Sequence, residues 1–112
     1  MLKDFCRTLP GTTEDVKWED HLMFSVGKKI YAGFDVEDTD SFGIKCDDID
    51  FERLTKIDGI IPAPYAARFG WVKFTRGDVM PLAKVKALIL KSHGLVMAGL
   101  PRKLQIEIAA RS

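Results

Sequence analysis

The side chains best equipped for chemistry are His21, His93, Cys6, Cys46, Ser92 and two dense runs of carboxylates. His21 and His93 fall in different predicted elements, with no partner at metal-ligand spacing. Ser92 and His93 are neighbours on a predicted helix, so their side chains diverge and form no nucleophile–base pair. The carboxylate runs, Glu37 to Asp40 and Asp47 to Asp50, read as a solvated loop and a helix start. Acid–base work by paired carboxylates needs burial to separate their pKa values, and these stretches promise exposure. No glycine-rich phosphate loop is present, and Arg76-Gly77-Asp78 reads as a turn. The expectation is a protein with no catalytic residues, no metal site and no cofactor, and therefore not an enzyme.

With chemistry set aside, the bulk composition bounds the fold. A chain of 112 residues, 46% hydrophobic and 29% charged, is the size of one domain, expected to span 1–112. Two cysteines in apolar contexts suggest buried, reduced thiols. No charged-then-apolar leader opens the chain and no apolar run is long enough to cross a bilayer, so the expected location is cytoplasmic. The net charge of +1 conceals a split. Residues 1–60 hold 8 Lys/Arg against 14 Asp/Glu, whereas residues 61–112 hold 9 against 2. Such a split marks a basic face for a partner, or two halves that neutralise each other, and the near-neutral total favours the second.

The elements follow from periodicity. Leu2, Phe5, Cys6 and Leu9 form one stripe of a short helix ended by Pro10-Gly11. Leu22, Phe24 and Val26, then Ile30, Ala32, Phe34 and Val36, alternate with other residues as a β-hairpin. Placing Val26 opposite Ile30 puts every apolar residue on one face and predicts a three-residue loop, Gly27-Lys28-Lys29. Phe42, Ile44 and Cys46 continue as a third strand. Asp47 or Asp48 caps a helix with apolar positions Ile49, Phe51, Leu54 and Ile57, closed by Gly59. Ile60 to Tyr65 contains two prolines and cannot be regular helix. Val72 and Phe74 are the core side of a fourth strand, and a long helix runs from about Pro81 to Ala98 with a stripe of Leu82, Val85, Leu88, Ile89, Leu95 and Val96. Ser92 interrupts that stripe and is expected to bond the carbonyl four residues back. The tail beyond Pro101 forms one more short helical segment. The fold class is α+β, a two-layer sandwich with an antiparallel sheet of four to five strands and helices on one face.

That architecture leaves one sheet face free, and alternation assigns His21, Met23, Tyr31, Lys45, Trp71 and Lys73 to it. Aromatics among lysines on an open sheet are either a stacking platform or cross-strand pairs that serve stability, and stability is favoured.

The stretch Ile61-Pro62-Ala63-Pro64-Tyr65-Ala66-Ala67-Arg68-Phe69-Gly70-Trp71-Val72 resembles the MmcQ/YjbR family of small bacterial proteins. The resemblance runs along nearly the whole chain. Leu9-Pro10-Gly11-Thr12 followed by Trp18 is similar to the family's opening, and Phe24 to Ala32 is similar to its hairpin. Ser92-His93-Gly94-Leu95-Val96 matches a further segment, with His93 where tyrosine is usual, and Leu100-Pro101 stands where the family has Leu-Pro-Lys. The opening helix is shorter than usual in the family. The resemblance implies a two-layer fold described as double-wing or secretion-chaperone-like, and DNA binding as the associated activity. It supplies no catalytic residues.

Two functions follow as expectations. One is a DNA-binding accessory protein working through the basic C-terminal half. Arg68, Lys73, Arg76, Lys84, Lys91, Arg102 and Lys103 would meet phosphates and Trp71 or Tyr65 would stack. The other is a non-enzymatic protein-interaction module using the open sheet or the Pro-Ala-Pro-Tyr loop. No membrane partner is expected, and the chain is expected to be a monomer or weak dimer.

Overall fold

The computed structural model describes residues 2–17, 20–35, 41–64 and 66–111. The elements are α1 (Leu2–Arg7), β1 (Thr12–Lys17), β2 (His21–Val26), β3 (Lys29–Asp35), β4 (Phe42–Lys45), α2 (Asp48–Leu54), β5 (Ile60–Pro62), a 3-10 turn (Ala67–Phe69), β6 (Trp71–Phe74), α3 (Leu82–Ala98) and α4 (Arg102–Arg111). The strands form one antiparallel sheet in the order β1-β2-β3-β4-β6-β5. Phe24, Phe34, Ile44, Val72 and Phe74 from the sheet join Cys6, Leu54, Val85, Ile89, Val96 and Ile108 from the four helices in one buried cluster. Along its middle the rings of Phe34, Phe42 and Phe74 stack in series, with centroids 5.5 Å and 4.6 Å apart.

The sheet has six strands where the sequence suggested four to five, and both additions are edges. β1 is exposed along most of its length and so shows no apolar alternation. Its register is held by β2, from Thr12 opposite Val26 to Lys17 opposite His21. β5 spans three residues, with only Ile60 buried, and carries Pro62 at the sheet edge where a missing N–H is tolerated.

The hairpin has the expected body, with Leu22 opposite Phe34 and Phe24 opposite Ala32, but a different tip. Val26 pairs with Lys29 around a two-residue turn, Gly27-Lys28, with φ of 57° and 68°. Positive φ at both central residues is the turn whose twist matches a hairpin, and Gly27 adopts it without strain. The count is restored by a bulge: Ser25 faces Ile30, Phe24 faces Ala32, and Tyr31 is the extra residue. The bulge rotates Tyr31 inward, where it is fully buried, and leaves Ile30 on the outer face. Tyr31 therefore does not belong to the open face to which alternation assigned it. The expected position of Val36 lies outside the described residues.

Ser92 also departs from expectation. Its hydroxyl donates to the Tyr31 carbonyl (2.7 Å) and accepts from the Lys45 N–H (2.9 Å) instead of bonding within its own helix. The β3–β4 ladder is regular from Phe34–Phe42 to Ala32–Ile44 and stops at the bulge. Ser92 supplies the partners that the interrupted ladder lacks. His93 is buried as well. Its Nε2 bonds the Pro10 carbonyl at 2.8 Å, and its ring meets Tyr31 edge-on at 5.1 Å. A carbonyl only accepts, so Nε2 carries the proton.

Asp47 caps α2 by accepting from the Asp50 N–H (2.8 Å). Ile49, expected in the core, is 78% exposed, and Asp50 is buried in its place. Leu82, at the start of α3, is exposed as well.

Candidate functional site

The outer face of the sheet carries no helix among the described residues, and it holds a cleft of about 910 Å³. One cross-strand row explains its shape. Met23, Gly33, Gly43 and Lys73 stand directly opposite one another on β2, β3, β4 and β6. At about 4.8 Å per strand, Met23 and Lys73 are roughly 14 Å apart with two side-chain-free residues between them. The gap is roofed from the sides. The Met23 Sδ lies 2.8 Å from where a Cβ on Gly33 would sit, and the Trp71 ring lies 3.6 Å from the corresponding point on Gly43. A Cβ at position 33 would oblige the flexible Met23 side chain to move off the floor of the cleft.

The rest of the lining comes from Ile30, which the bulge turns outward, and from Ala63, Pro64 and Ala66 of the β5–β6 connection. Ala63 is pinned by its N–H to the Trp71 carbonyl (3.0 Å). Polar groups sit at the margins: Lys28 and Lys29 at the hairpin tip, Lys73 in one wall, and His21 opposite Asp35 at the far end. His21 Nδ1 is 2.6 Å from the Asp20 carboxylate. The result is an apolar trough with a mainly cationic margin.

The residues expected at a binding site are not gathered in one place. Trp71 and Lys73 lie in the cleft. Arg68 is exposed on the 3-10 turn, its guanidinium 4.8 Å from the Phe69 ring centroid. Arg76 is held by Asp78 (2.9 Å) and Asp58 (3.5 Å). Lys91 bridges Asp47 (3.0 Å) and Asp50 (2.7 Å). Lys84 is on α3, and Arg102 and Lys103 on α4, within the helical layer behind the sheet. Tyr65 lies outside the described residues.

No acid–base centre emerges around the buried carboxylate. Lys91, then Arg53, hold the Asp50 carboxyl below the usual carboxylate range. The Asp50 N–H and Lys91 do the same for Asp47. Both stay ionised at neutral pH and act as ion-pair partners. Burial pushes the Cys6 thiol up to about 11 and the Cys46 thiol up to about 12, so both are protonated and unreactive. Among the described residues no three His, Cys, Asp or Glu side chains converge as a metal site. No helix among them is long and apolar enough to cross a membrane.

Sequence reasoning missed Lys28, Lys29, Ile30, Gly33 and Gly43 as site residues. A glycine inside each of two strands signals close approach of another group, and that was the available clue. The exchange of Ile30 for Tyr31 depends on the bulge and has no comparable signal.

Fold and site together define a small α+β protein with a six-stranded open sheet, helices on one side and an apolar cleft on the other. The YjbR family profile matches residues 7–95, and the chain belongs to that family. The fold is similar to that of the Deinococcus radiodurans protein DR2400, which carries a DUF419 domain. The TM-score is 0.86 at 26% identity, covering 96% of this chain and 85% of that one. A Pseudomonas syringae protein shares the fold at TM-score 0.65 and 21% identity, over 83% of this chain and 93% of that one. No curated protein matches the chain.

Proposed function

We propose that the protein is a non-enzymatic recognition module that receives a segment of a partner protein on the uncovered face of its sheet. The observation that carries this reading is the cleft, an apolar trough on the helix-free face. Ligand sites are typically concave and mostly apolar, with a few polar groups at the edge. Thioether and aliphatic groups such as Met23 and Ile30 suit apolar side chains of varied shape.

DNA binding through the basic second half is the other reading, supported by the charge split and by the activity associated with the family resemblance. The geometry favours it less. Arg76 and Lys91 are neutralised by neighbouring acids, and Lys84, Arg102 and Lys103 stand behind the sheet from Trp71. A stacking platform is also reduced once Tyr31 points inward, leaving Trp71 beside the largely buried Phe42 as the aromatic lining of the cleft.

Affinity capture from extract of the source organism, run with matched variants, separates the two. Partners are expected to be lost with Trp71→Ala/Lys73→Ala and retained with Lys84→Ala/Arg102→Ala/Lys103→Ala. The opposite pattern, together with a salt-dependent gel shift of duplex or single-stranded DNA by the wild type, would establish the DNA reading instead.

A further inference from the structure

We infer that the segment the cleft accepts is acidic, with an apolar residue flanked by carboxylates. This rests on the reading of the sheet face as a protein-recognition surface. Five cations in this chain are matched to acids: Arg7 to Asp4 and Glu14, Arg53 to Asp50, Lys56 to Glu52, Arg76 to Asp78 and Lys91 to Asp47 and Asp50. Lys28, Lys29 and Lys73 belong to the larger set of cations that form no ion pair with any described residue, and what sets these three apart is that they border the cleft.

Their placement sets the pattern. Lys28 and Lys29 stand at the hairpin tip beside Ile30, and Lys73 stands on β6, across the Gly33–Gly43 floor from Met23. An apolar side chain resting on Met23, Ile30 and Trp71 therefore has cations on two sides. An extended segment rises about 3.3 Å per residue, so about four residues cross the roughly 14 Å between Met23 and Lys73. The carboxylates of such a segment come within reach of the lysines while its centre stays over the apolar floor. Charge at the margin of an apolar patch selects partners and speeds encounter more than it tightens the complex.

The test is a ¹⁵N–¹H NMR titration of the full chain with three probes. They are the peptide acetyl-Glu-Asp-Leu-Phe-Asp-Glu-amide, its counterpart with every acid replaced by lysine, and an oligothymidylate. The acidic peptide is expected to shift the amides of Met23, Gly33, Gly43 and Trp71. Its affinity should fall about tenfold on Lys73→Glu, and comparably on Lys28→Glu/Lys29→Glu. The strand variant keeps the test decisive should the hairpin tip fail to fold after substitution. If the basic peptide moves the same amides equally well, the acidic preference is wrong and the sheet-face reading stands. If neither peptide moves them, both are wrong, and if the oligothymidylate alone does so, the face reads nucleic acid.

Discussion

Ser92 and Tyr31 show how single side chains fix the core of this protein. The Tyr31 hydroxyl donates to the Cys6 carbonyl (3.1 Å), so the Thr12 hydroxyl 2.9 Å away must donate to it in turn. One buried phenol thereby ties α1 to β1, while Ser92 closes the gap that the bulge opens between β3 and β4. Ser92→Ala would strand a carbonyl and an amide at that gap, and is expected to lower stability by about 1–3 kcal/mol in urea unfolding. Asp50 makes a pH-dependent contribution. Its pKa is lower folded than unfolded, so its stabilisation is complete above the unfolded value of about 4 and is lost as pH falls through the folded one. Asp47 acts in the same direction. Asp50→Asn is expected to flatten the fall in stability below about pH 4, measured as denaturant midpoint against pH. An unchanged acid limb would show that the ion pair does not contribute.

At the scale of elements, the hairpin tip combines a glycine that needs its place with a lysine that does not. Gly27 has positive φ, and a Cβ there would lie 2.6 Å from Leu100 Cδ1, so Gly27→Ala is expected to cost about 1–2 kcal/mol. Lys28 adopts φ 68° with a side chain that disfavours it, and Lys28→Gly is expected to raise stability by about 0.5–1 kcal/mol. Thermal unfolding of the two variants checks both signs. The helix α3, the register of the hairpin body and the inward set Val72/Phe74 were legible because apolar periodicity recorded their burial, whereas α2 was legible from its Asp47 cap and Leu54 although Ile49 is exposed. The edges were not. β1 buries too little for a pattern to form, and the prolines that disguise β5 are tolerated there because it is an edge. The bulge was illegible because Ile30-Tyr31-Ala32 satisfies alternation equally well in either register. The buried seryl hydroxyl from α3 that satisfies the interrupted ladder lies 61 residues away from Tyr31.

At the scale of the whole molecule, the acidic and basic halves of the sequence meet at two points. Arg76 meets Asp58 and Lys91 meets Asp47 and Asp50, so two cations of the second half are matched to acids of the first. The cleft draws its free charge from Lys28 and Lys29 of the first half and Lys73 of the second. Overall composition therefore concealed the site, although Met23, Trp71 and Lys73 had already been placed on the correct face. The central claim is that partners are met by the outer sheet face, and site-directed photocrosslinking tests it most directly. A benzophenone amino acid is introduced at position 73 in the cleft, or at position 84 on the helical layer, and each protein is irradiated with the captured partner. The account predicts an adduct from position 73 and none from position 84. An adduct from position 84 alone would contradict it.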